Sequence, residues 1–131
     1  LQRAGTSREI SLNMTEIIIS GLRPASKKNH RRNFGHISLP SLAYEKFHSL
    51  VAEYLLPFSY LHLTKPLWMQ VTYEIKGNYH QDIDNALSSV CDCLTDYGII
   101  EDDDLIVNVK MTKKNGFKDW RIVIQLEEII Q

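Results

Sequence analysis

Half of the carboxylates in this chain stand where a metal-assisted reaction would need them. Eight of the sixteen Asp and Glu residues fall between Asp82 and Asp104, within HQDIDNALSSVCDCLTDYGIIEDDD, which starts at His80. They form two groups, Asp82 with Asp84 and then Glu101 to Asp104, and no Lys or Arg occurs between Lys76 and Lys110. Carboxylates brought together raise one another's proton affinity unless a cation neutralises them. Oxygen-only donors suit a hard divalent ion such as Mg²⁺ or Mn²⁺, which keeps several waters and takes phosphate oxygens as further ligands.

A helix must hold the first group and a reversal must return the second. Ile83, Ala86, Leu87, Val90, Cys91 and Leu94 recur at intervals of three and four, one apolar stripe at the helical period. Asp82 or Asp84 can cap its start, and Gly98 suits the left-handed residue just past its end. Capping alone is the plain structural reading of that aspartate pair. A helix over Asp84 to Asp96 is about 18 Å long, and six extended residues from Tyr97 to Asp103 span about 20 Å. The two groups are therefore expected to meet.

The spaced pattern D-I-D-N at Asp82 to Asn85, D-C-L-T at Asp92 to Thr95 and Y-G-I-I-E-D-D at Tyr97 to Asp103 resembles the RusA-like Holliday-junction resolvases. The likeness extends over most of the chain after Met14, including the Pro, Ser, Asn, Arg and Lys residues between Arg23 and Arg32. It implies a Mg²⁺-dependent endodeoxyribonuclease in which Asp82, Asp84 and Asp103 are catalytic and bind the metal, with Mn²⁺ as a possible substitute and Asp102 as a further ligand. It also implies a homodimer that resolves four-way DNA junctions by paired phosphodiester hydrolysis, in recombination and repair. The family commonly has a lysine four residues after the second aspartate of D-x-D-N, where this chain has Ser88. A cation from the loop, Lys27 or Lys28, is the expected replacement. The alternative is a module that keeps the fold and binds branched DNA, or a protein partner, without cutting.

A phosphodiester also needs cations beside the metal site. The net charge is only -1, yet no Asp or Glu occurs between Glu16 and Glu45, a stretch that holds Arg23, Lys27, Lys28, Arg31 and Arg32. With Lys113 and Lys114 these are the candidate DNA-binding residues, although charge runs are commonly just solvated. His80, two residues before Asp82, suits a phosphate or leaving-group contact better than a place among hard carboxylate ligands. The other histidines lack ligand spacing, which argues against zinc.

At 131 residues, 44% hydrophobic and 24% charged, the chain has the composition of one globular domain. Residues 1–13 are expected to be a flexible or non-native tail, with Met14 as the natural start, and residues 14–131 a single nuclease domain. Glu16 to Ser20 reads as a strand, Gly21 to Asn33 as a loop, and Ser41 as the cap of a helix that ends before Pro57. Leu67 to Lys76 alternates like a strand with one buried face. Leu105 to Met111 and Trp120 to Leu126 read as strands, with Asn115-Gly116 marking a hairpin between them. The expected fold is α+β: one mixed sheet with two main helices packed on it, in the order β-α-β-α-β-β. Two closely spaced cysteines do not make a disulfide framework, and no apolar run reaches membrane-span length, so a cytoplasmic setting without a membrane is expected.

Overall fold

In the computed structural model, residues 14–25 and 32–129 are described. The expectations for the N-terminal tail and for Lys27, Lys28 and Arg31 lie outside them. The strands are β1 (Met14–Ser20), β2 (Arg32–Phe34), β3 (Ile37–Leu39), β4 (Leu67–Lys76), β5 (Ile106–Phe117) and β6 (Arg121–Glu128). The helices are α1 (Leu42–Leu50), α2 (Ala52–Leu55) and α3 (Ile83–Asp96), with 3₁₀ turns at Leu56–Leu61 and Asp103–Leu105. One mixed sheet runs β1-β6-β4-β5, and β2 and β3 form a separate short ribbon. The α+β class and the mixed sheet with helices on it are as expected.

Alternation on β4 builds the centre. Leu67, Met69, Val71, Tyr73 and Ile75 are buried on one face, joined by Ile17 and Ile19 of β1 and by Ile122, Ile124 and Leu126 of β6. Phe47, Val51 and Leu55 from the first helical segments, and Ala86, Val90, Cys93 and Leu94 from α3, close over that face. Each large aliphatic side chain removed from water in this way contributes about 1.5–3 kcal/mol. The Ser41 hydroxyl accepts from the Tyr44 N–H at 3.1 Å, which starts α1 as anticipated. The helical face then breaks at Leu50, resumes as α2 and passes Pro57 as a 3₁₀ turn.

The expected hairpin at Asn115-Gly116 is not formed. β4 pairs with β5 in parallel and with β6 antiparallel, so β5 and β6 lie on opposite sides of β4. β5 runs through Asn115 and Gly116 as strand. The glycine is needed for a different reason: its φ is +92°, near an irregularity in the β4–β5 register. There the Gly116 N–H reaches the Gly77 carbonyl at 2.8 Å. An Asn-Gly pair permits positive φ in either setting.

Parallel pairing of β4 and β5 requires a long crossover, and α3 supplies it. The register places Leu67 opposite Ile106 and Lys76 opposite Phe117. The chain thus leaves β4 at its Lys76 end, enters α3 through Asp82, and returns to the Leu67 end to begin β5. Asp82 thus lies early in the crossover and Asp103 near its end in sequence.

Candidate active site

Asp82 is the N-cap of α3. Its backbone is extended, and its Oδ1 accepts from the Asp84 N–H at 2.9 Å and the Asn85 N–H at 3.4 Å. The helix start thereby fixes one carboxylate oxygen of Asp82 and leaves Oδ2 for a ligand. Asp84 lies in the first turn and is exposed. Both carboxylates sit where the helix dipole favours negative charge.

The second acidic group begins β5. Asp102 caps the 3₁₀ turn, its Oδ1 accepting from the Asp104 N–H at 2.9 Å. Carboxylate oxygens of Asp102, Asp103 and Asp104 lie within 4.8 Å of one another, a group that could hold a cation. Asp103 is held above the usual carboxylate range, first by its hydrogen bond with Asp102, then by burial and the charges of Asp102, Asp104 and Asp92. Asp102 moves the other way, because the Asp104 N–H and the hydrogen bond with Asp103 favour its charged form. Asp104, which the sequence placed in the second acidic group, was not among the ligands expected there, although its place in a run of three aspartates was signal enough.

Among the described residues, no group of three drawn from Asp82, Asp84 and Asp103 meets the spacing that Asp102 to Asp104 satisfy. Asp103 instead acts on side chains of the middle of α3, where Asp92 raises its proton affinity. The Cys91 thiol is pushed up to about 12, chiefly by burial and then by the charges of Asp103 and Asp92. Asp92 is two turns beyond Asp84, about 12 Å along the helix axis. Asp103 thus lies close to Cys91 and Asp92 of α3, while Asp82 and Asp84 stand at the helix entrance.

A cleft of about 780 Å³ opens beside the entrance, lined in part by Arg23, Lys46, Phe47, His80, Asp82 and Asn85. Lys46 lies on α1 and was not among the cations expected from the sequence. Among the described residues, three of the expected DNA-binding cations are engaged within the chain. Arg32 donates to Glu45 Oε1 at 2.7 Å and to the Pro40 carbonyl at 3.2 Å. Arg23 donates to the His80 carbonyl at 2.7 Å and to Gln81 Oε1 at 3.2 Å. Lys113 Nζ donates to the Gln81 carbonyl at 2.9 Å. Lys114 is exposed on β5.

The family model described as endodeoxyribonuclease RusA matches residues 22–127, which takes in the cleft, the whole of α3 and both acidic groups. The chain belongs to the RusA endodeoxyribonuclease family. No curated protein sequence matches it. The matched residues run from the segment after β1 nearly to the end of β6. No helix among the described residues is long and apolar enough to cross a membrane.

Proposed function

We propose that this RusA-family chain is a divalent-metal-dependent endonuclease that resolves four-way DNA junctions by paired phosphodiester hydrolysis. The observation that carries the reading is the endodeoxyribonuclease family match over residues 22–127, together with the clustered carboxylates of Asp102, Asp103 and Asp104, which could hold a cation. The donor chemistry fits Mg²⁺, with Mn²⁺ as substitute: carboxylate oxygens only, several of them exposed, with room for water and phosphate. Asp82, Asp84 and Asp103 are the proposed catalytic carboxylates and metal ligands, and Asp102 is a further ligand. A bound ion would supply an activated water and stabilise charge on the phosphoryl oxygens.

The chain's own residues do the rest. The capping bonds orient Asp82. Asp102 is favoured in its charged form as an acceptor of the Asp104 N–H, while its hydrogen bond with Asp103 and then burial raise the proton affinity of Asp103. Lys27, Lys28, Arg31 and Lys114 supply phosphate contacts. A junction presents two strands for symmetric cutting, so a homodimer with two-fold symmetry is the assembly proposed. Such contacts read shape and phosphate position more than base edges.

The test is incubation with a labelled four-way junction and a matching linear duplex, with Mg²⁺, Mn²⁺ or chelator. Paired, metal-dependent nicks confined to the junction are the expected result. A second reading, a module that holds branched DNA without cutting, draws on Ser88 at the position where the family commonly has a lysine. It predicts tight junction binding with no nicks under either metal.

A further inference from the structure

Between β4 and α3 the chain crosses from Gly77 to Gln81 without regular structure, and it is held there by side chains from far away in sequence. Three successive backbone carbonyls each accept from a different one. Asn115 Nδ2 reaches the Tyr79 carbonyl at 3.3 Å, Arg23 Nη2 the His80 carbonyl at 2.7 Å, and Lys113 Nζ the Gln81 carbonyl at 2.9 Å. Arg23 also holds the Gln81 side chain, which is buried. Its guanidinium lies 5.4 Å from the Tyr79 ring centroid and 5.1 Å from that of Trp120, and those two rings are 5.8 Å apart. Asp82 is the next residue.

We propose that Arg23 and Lys113, aided by Asn115, are positioning residues that clamp Tyr79 to Gln81 and so set Asp82 at the entrance of α3. Their charge is not first of all a grip on DNA. This rests on the reading of Asp82 as a site residue. The register explains the choice of lysine: Lys113 pairs with Tyr73, whose side chain is on the buried face of β4 beneath the helices, whereas Lys114 pairs with Glu74 on the other face. Lys113 therefore reaches the helix entrance and Lys114 faces away. A carbonyl lacking a strand or helix partner gains most from a charged donor. Three such contacts in a row leave the segment one backbone path into the cap.

The test compares Lys113→Ala and Lys113→Arg with the unaltered protein by three readouts: single-turnover junction cleavage, junction affinity against salt without divalent metal, and amide exchange at Asp84 and Asn85. For Lys113→Ala, misplacement of Asp82 should slow cleavage by about 10- to 100-fold. Affinity should stay within about threefold with an unchanged salt slope, since no phosphate contact is lost. Exchange at Asp84 and Asn85 should rise by about tenfold as the entrance loosens. Lys113→Arg should restore most of each. Asn115→Ala should give the same pattern more weakly and decides the matter if Lys113→Ala does not fold. Loss of affinity with a salt slope reduced by about one and unchanged exchange would make Lys113 a phosphate contact and overturn the clamp. Unchanged values throughout would overturn it too. If the unaltered protein cuts nothing, the nuclease reading fails by itself, and the exchange measurement still decides the clamp.

Discussion

Asp82 carries two duties that a single substitution can separate. Asn caps a helix about as well as Asp, so Asp82→Asn should leave thermal stability nearly unchanged, whereas Asp82→Ala should cost about 0.5–2 kcal/mol in denaturant unfolding. Both should lose cleavage by at least about 100-fold, because neither offers a charged oxygen. A fully active Asp82→Asn would reduce the residue to a cap. The Asp102 and Asp103 pair gives a pH signature. Asp103 holds its proton above the usual carboxylate range, and that proton must leave before a cation binds. Cation affinity should therefore fall as pH is lowered through the region just above that range, and binding should release protons there, as calorimetry in buffers of different ionisation enthalpy would show. The stability linkage has opposite signs in the two residues. The raised Asp103 stabilises the fold at low pH and loses that contribution as pH rises through its folded value, while the lowered Asp102 contributes above its unfolded value and loses it as pH falls. The N-cap role of Asp82 was legible in its position before an apolar stripe. The partners of Arg23 and Lys113 were not, because each lies tens of residues away and both cations read equally well as solvated charge.

At the scale of elements, α3 and β4 were readable because each shows a clean period, and Gly98 takes the positive φ its place after the helix requires. Leu94 is fully buried between α3 and the sheet, and Leu94→Ala should cost about 2–5 kcal/mol by chemical denaturation. The β5–β6 connection was misread because Asn-Gly marks a backbone that tolerates positive φ without saying whether the strand turns back. Which strand β5 joins is decided by the crossover through α3, a non-local matter. Gly116→Ala checks the observed arrangement. It would place a Cβ at φ +92°, and open space around it leaves backbone strain of about 1–2 kcal/mol as the cost. A loss near zero would contradict that conformation. The break between α1 and α2 was hidden because Leu42 to Tyr54 keeps a helical face across it.

For the whole molecule, charges of both signs meet at the entrance of α3, where Arg23 and Lys46 line the same cleft as Asp82. Junction affinity should drop steeply with salt, with a log–log slope of about -0.9 for each phosphate neutralised, and should exceed linear-duplex affinity at every salt concentration. Equal affinity for the two DNAs would remove shape recognition from the account. The family was legible from the spacing of D-I-D-N and the later aspartates, whereas the nearness of Asp103 to Cys91 and Asp92 was not, because it depends on the parallel β4–β5 pairing.

The most direct test of the nuclease reading is single-turnover cleavage of a labelled four-way junction in Mg²⁺, beside a matching linear duplex and an Asp82→Asn control. Paired nicks in the junction alone, abolished by chelator and by Asp82→Asn, are what the account predicts. Tight junction binding with no nicks in Mg²⁺ or Mn²⁺ would contradict it and leave a module that holds branched DNA without cutting it.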